Sequence, residues 1–253
     1  MTLLESQFGR LRGQVAWITG GKRIGRAVGR ALAEQGVGIV ASFRRSEHEA
    51  RELVEQCRAL GVPAVAVQAD VGSRSSVESA VRRAREHFAE FHILVNMASV
   101  YALAPVEDLA ERDWEENFRA HVLGSFWPAQ MLLPYMPVGA HIINVADACV
   151  TGRMRRRALP YQVTKAAVAA MTRAMAVEYA PRGIFVNAIA PGPILRPEDF
   201  PEDKWRALRA ASPVAWPLSD EEAVAQFALL VLYLAVTTTT TGHTFPLDVG
   251  ENL

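Results

Sequence analysis

The chain has 253 residues, and its 27 Lys and Arg are balanced by 27 Asp and Glu. That zero net charge argues against a nucleic-acid binder, which would carry a basic excess. Half of the residues are hydrophobic and 21% are charged, a globular balance, and the length suits one large α/β domain or two small ones.

The two cysteines, Cys57 and Cys149, lie far apart, and no CxxC or other metal-ligand spacing occurs. No disulfide framework and no metal site is therefore expected, and a reducing cytoplasm is the expected location. The N-terminal MTLLESQFGRLRG lacks the apolar core of a secretory signal. The longest apolar stretch, 223–236, would span about 21 Å as a helix against a bilayer core of about 30 Å, so it reads as a buried helix and not a membrane span.

In chain order the pattern alternates strand and helix. Gln14–Thr19 is a short apolar run ending in glycines, hence a buried strand. Ile24, Ala27, Val28, Ala31 and Leu32 form one helical stripe, which Gly36 is placed to end. Val37–Phe43 reads as a second strand. Ser46 and Glu49 have the spacing of a capping box, opening a helix that Gly61 closes. Pro63–Ala69 reads as a third strand, and Val77, Val81, Ala84 and Phe88 mark a third helix.

Phe91–Met97 reads as a fourth strand. A long helical region then runs from about Glu107 to Met136, with Pro128 and Pro134 placed to kink or end it. His141–Ala146 is a fifth strand, Tyr161–Ala180 an Ala-rich helix, and Ile184–Ala190 a sixth strand. Residues 191–218 hold six prolines and no clear period, so they read as a long, partly irregular loop. Ser219 and Glu222 form another capping box, opening a helix through Ala235. The Thr237–Thr241 run reads as a β-prone loop edge, and Thr244–Val249 as the last strand. Strands separated by helices imply right-handed crossovers: a single Rossmann-type, doubly wound parallel α/β sheet of about seven strands with helices on both faces, over residues 1–253.

The first strand runs through Thr19-Gly20-Gly21-Lys22-Arg23-Ile24-Gly25 into the first helix. Glycines at such a turn let the backbone approach a pyrophosphate, and the helix N-terminus offers it free N–H groups. The second strand ends in Arg44-Arg45-Ser46 with no acid to hold a ribose 2′-hydroxyl. A guanidinium there suits a 2′-phosphate, with Lys22 and Arg23 adding charge, so the cofactor expected is NADPH. Taken singly, each of these cations reads as a solvated surface residue. Tyr161 and Lys165 are spaced i, i+4 and share a helix face. An ammonium beside a phenol lowers its pKa and makes it a usable proton donor, although YxxxK alone is a common surface pair.

Together with Asp70-Val71, Asn96-Met97-Ala98-Ser99, Asn187, Pro191-Gly192 and TGHTFPLDVG, these motifs resemble the short-chain dehydrogenase/reductase family along essentially the whole chain. The resemblance implies a tetramer, or else a dimer, that transfers hydride from a nicotinamide to a small molecule. It implies that Asp70 and Val71 hold adenine, that Asn96 and Ala98 line the cofactor cleft, and that Lys165 also binds the nicotinamide ribose. Pro191, Gly192 and Ile194 would complete the cofactor site, and the 191–218 loop would bind substrate.

The departures narrow the resemblance. Asp147 stands where the family has its catalytic serine, Lys22-Arg23-Ile24-Gly25 closes the glycine turn, and Tyr101 follows the Asn96–Ser99 turn, placed to stack on a flat ring. All three resemble the pteridine reductase-like branch. The implied substrate is a dihydropterin or a dihydrofolate-like ring, contacted by Ser99, Tyr101, Asp147 and Tyr161, with Asp147, Tyr161 and Lys165 as the catalytic group. A carboxylate beside Tyr161 would oppose phenolate formation. His121 stands where the family has a relay asparagine, and Arg153–Arg157 form a basic segment that reads as a solvated loop or faces an acidic substrate tail. Two rival readings stay open: a carbonyl reductase acting on a 3-oxoacyl or small keto compound, and a non-catalytic NADP(H)-binding regulator.

Overall fold

The computed structural model describes residues 8–20, 22–150, 152–196, 200–214 and 219–251. Gly21 of the glycine turn, and positions 197–199 and 215–218 of the expected substrate loop, lie outside the described residues. The strands are β1 (Val15–Thr19), β2 (Gly38–Phe43), β3 (Ala64–Gln68), β4 (Ile93–Asn96), β5 (His141–Val145), β6 (Phe185–Pro191) and β7 (Thr244–Leu247). The helices are α1 (Ile24–Glu34), α2 (Glu47–Ala59), α3 (Arg74–Arg85), α4 (Glu111–Phe118), α5 (Gly124–Leu132), α6 (Leu159–Tyr179), α7 (Glu202–Ala210) and α8 (Asp220–Leu234).

All seven strands are parallel, in the order β3-β2-β1-β4-β5-β6-β7. Strand side chains alternate between faces, so β1 feeds both cores. Ala16 and Ile18 join the layer under α1, α2 and α8, while Val15 and Trp17 join the layer under α3, α5 and α6. Trp17 meets Phe91 edge-on at 5.8 Å, and neither is measurably exposed. The chain order reverses between β1 and β4. At such a switch point the crevice beyond the strand carboxyl ends is the natural ligand site.

Four local expectations are corrected. The 107–136 region is not one helix. It is broken into a 3-10 turn at Val106–Asp108, α4, a π turn at Arg119–Leu123, α5 and a second 3-10 turn at Leu133–Tyr135. Pro128 lies inside α5, where it has no N–H for the Gly124 carbonyl. Ser46 begins α2 but forms no capping box, and Glu49 turns instead toward Lys22, 3.6 Å away. The 191–218 segment contains α7, a proline-free stretch whose Trp205 is buried against Phe200. The helix read as buried is covered on one face only: α8 buries Phe227 and Val231 but exposes Leu229 and Tyr233.

The capping box at Ser219 does form, with Ser219 N–H on Glu222 at 2.8 Å and the reciprocal bond at 3.2 Å. The threonine run adds no strand. Thr240 and Thr241 dock on β6 through Asn187 and Val186.

Candidate active site

Burial and backbone geometry build the cleft floor first. Thr19, at the end of β1, accepts the Met97 and Ala98 N–H groups at 2.9 and 3.1 Å, pinning the loop that leaves β4. Beneath it Asn96 donates to Asn144 at 2.9 Å, and Asn144 donates to Thr172 at 2.9 Å, so β4, β5 and α6 are tied by one buried polar chain. Asn96 is therefore a brace below the floor and does not line the cleft. Thr19 was visible only as the start of the glycine turn, and Asn144 and Thr172 had no signal in the sequence, because each bond joins residues far apart in the chain.

Above this floor lies a cleft of about 820 Å³. At one end are Gly20, Lys22, Arg23, Ile24 and Gly25. Arg44, Arg45 and Ser46 stand at the end of β2, with Asp70 and Val71 beside them. Gly20 has φ +82°, and a Cβ on Gly25 would lie 2.0 Å from the Gly20 carbonyl oxygen, so only glycine lets the turn close this tightly. Arg23 has φ +54°, a conformation that costs a side-chain-bearing residue about 1–3 kcal/mol. Its guanidinium donates to the Arg196 carbonyl, fastening the turn to the chain leaving β6. A glycine cradle, a helix N-terminus and the Arg44-Arg45 pair fit a dinucleotide with a 2′-phosphate, while Lys22 already faces Glu49 at 3.6 Å.

At the other end Tyr161 and Lys165 project from the first turns of α6, which begins at Leu159. The Tyr161 hydroxyl donates to Asp147 at 2.9 Å, and Asp147 also accepts the Cys149 N–H at 2.9 Å. Lys165 donates to the Val145 carbonyl at 2.7 Å, with its nitrogen 5.7 Å from the Tyr161 ring centre. The expected lowering of the Tyr161 pKa is reversed. Burial first, and then the Asp147 carboxylate, push the phenol well above 10.0. Burial lowers Lys165 to about 8, against the opposing pull of Asp147.

A family model described as short chain dehydrogenase matches residues 14–205. The chain belongs to this short-chain dehydrogenase family. It is 33% identical over 228 residues to the uncharacterized oxidoreductase YhdF of Bacillus subtilis, covering 88% of this chain and 78% of that one. It is also 33% identical over 188 residues to versicolorin reductase 1 of Aspergillus parasiticus, covering 73% of this chain and 71% of the relative. A solved short chain dehydrogenase from Burkholderia cenocepacia, in complex with NADP, superposes with a TM-score of 0.87 at 28% identity, covering 96% of this chain and all of the other.

Several expected positions for such a dehydrogenase are placed differently. Pro191 and Ala98 line the cleft, but Gly192 packs against Asp248 and Glu251, and the Ile194 side chain is buried in the core. The Ile194 carbonyl is taken by Arg209 at 2.6 Å. Tyr101 does not lie flat over the cleft. Its ring meets Tyr161 edge-on at 4.8 Å. Arg155, from the basic segment, is not a free solvated cation: it pairs with Glu251 at 2.7 Å, while its main chain is held by Gln162. Of the other histidines, His141 is buried with its Nδ1 lacking a partner and its ring stacked on Phe185. Among the described residues no group of His, Cys and acidic side chains could hold a metal, and no helix is long and apolar enough to cross a membrane.

Proposed function

We propose that the chain is an NADPH-dependent reductase of a fused-ring substrate, and that the ring is a pteridine of dihydropterin or dihydrofolate type. The observation that carries this is the 2.9 Å bond from the Tyr161 hydroxyl to Asp147. The family's serine at this place can donate a hydrogen bond to a ketone oxygen; an ionised carboxylate only accepts. It opposes negative charge growing on an oxygen beside it, and pairs readily with the N–H groups of an amino-pyrimidine edge. None of the relatives named above carries the name of a pteridine reductase, so the ring assignment rests on Asp147.

NADPH, when bound, supplies the hydride to a ring carbon of a C=N bond. Arg44 and Arg45, which line the cleft at the end of β2, would receive its 2′-phosphate, and the glycine turn its pyrophosphate. Tyr161 keeps its proton at neutral pH, ready for the ring nitrogen that gains the electron pair. Lys165 is cationic at pH 7 and faces the cleft, suited to the ribose hydroxyls.

A second reading is a fused-ring ketone, favoured by the edge-on pair that Tyr101 makes with Tyr161 and by the likeness to versicolorin reductase. NADPH oxidation with dihydrobiopterin, dihydrofolate, a hydroxynaphthalene-derived ketone and a 3-oxoacyl ester separates the readings. Turnover of ketones alone would sink the pteridine assignment, and cofactor binding without turnover of any would favour a regulator. We also propose a tetramer, built on two exposed apolar faces described below.

A further inference from the structure

His121 lies at the centre of the π turn and is 1% exposed. Its ring nitrogens bond to groups other than Lys165. Its Nε2 is 3.2 Å from the Val100 N–H and 2.9 Å from the Ser99 hydroxyl, while its Nδ1 is 2.8 Å from the Thr164 hydroxyl. Thr164 in turn donates to the Pro160 carbonyl at 2.8 Å, one residue before Tyr161. The Tyr161 ring packs edge-on against the imidazole at 5.4 Å.

These contacts settle the proton positions. A backbone N–H can only donate, so Nε2 carries no proton and accepts from Val100. Nδ1 must then carry the proton and donate to Thr164, whose own hydrogen goes to the Pro160 or the Tyr161 carbonyl, 2.8 and 2.9 Å away. Ser99, facing an unprotonated nitrogen, must donate to it. Burial first, and then the nearby Lys165 charge, lower the imidazole to about 3, which keeps this neutral form through the physiological range.

We infer that His121 is a positioning residue, fastening the Ser99–Val100 loop to the first turn of α6 through a hydrogen-bond chain that runs in one direction only. Ser99 and Val100 line the cleft on one side, and Tyr161 and Lys165 on the other. His121 touches none of the cleft itself and acts through them. The chain sets the distance between the two walls and turns the Ser99 lone pairs outward.

The test has two arms. In ¹⁵N NMR of the cofactor-free full chain, His121 should show the neutral Nδ1–H form from pH 5 to 8. An Nε2–H form or an imidazolium in that range overturns the inference, and this arm is independent of the substrate. The second arm rests on the proposed cofactor and measures NADPH affinity by nicotinamide fluorescence. His121→Phe keeps the ring edge but loses every hydrogen bond, and should weaken NADPH about tenfold. His121→Gln, which retains an acceptor for Val100 and Ser99, should stay within about threefold of wild type. Equal affinities for both variants and wild type, or equal losses in both, overturn the positioning role. Failure of the pteridine reading would appear only in the turnover screen.

Discussion

Asp147 changes the chemistry of a residue it does not share a helix with. Tyr161 is raised by burial and by that carboxylate together, so removing the charge should release part of the shift. Asp147→Ser is expected to move the alkaline limb of the kcat/KM pH profile down by at least one unit. It should lower pteridine turnover at least tenfold while raising ketone turnover. An unmoved profile would show that Asp147 does not govern Tyr161. Two buried histidines make a separate prediction about stability. Burial lowers His121 to about 3 and His141 to about 4, whereas in the unfolded chain both titrate near 6.5. Between those values the unfolded chain binds more protons, so stability is lost as pH falls from about 6.5 toward 4. The slope approaches about 1.4 kcal/mol per pH unit for each histidine. Urea unfolding at pH 7 and pH 5 measures it, and His141→Leu should flatten the dependence by about half.

At the scale of elements, the glycine turn makes the sharpest demand. A methyl group on Gly25 would overlap the Gly20 carbonyl, so the turn must open. Gly25→Ala is expected to weaken NADPH at least tenfold by fluorescence titration, with the circular dichroism spectrum unchanged. Arg44→Asp should move preference toward NADH, and an unchanged NADPH to NADH ratio would remove Arg44 from its assigned role. This turn was legible because strand, glycines and helix stripe are adjacent in sequence. The capping box at Ser219 was legible for the same reason, but its twin at Ser46 was not realised. There Glu49 faces Lys22 across the turn, a contact that spacing alone does not reveal. The proline count of 191–218 hid α7, whose nine residues contain none. The π turn has no local signature at all, yet it is what brings His121 beneath the loop after β4.

For the molecule as a whole, the alternation of strand and helix carried the sheet, because a parallel sheet whose inner strands are buried on both faces needs helices on each. The lower half of the site did not follow from it. Asn96, Asn144 and Thr172 meet only once β4, β5 and α6 are assembled. The zero net charge also resolves into parts: cations crowd the glycine end of the cleft, and both signs, Arg112 and Arg119 with Glu115 and Glu116, line it from α4 and the π turn. Assembly follows from what the folded chain leaves uncovered. On one side of the sheet α4 and α6 pack together and expose Trp114, Phe118, Val163 and Val177. On the other side α8 exposes Leu229 and Tyr233. Apolar groups gathered on a helix face mark association surfaces. Two such faces on opposite sides of one subunit, each meeting its own copy, would close the proposed tetramer with D2 symmetry. Sedimentation equilibrium should therefore give four times the 27.7 kDa chain mass. Phe118→Arg and Tyr233→Arg should each leave dimers, and the double variant monomers. A monomeric wild-type chain at micromolar concentration would refute the assignment of both faces. A tetramer untouched by either arginine would move the interfaces elsewhere.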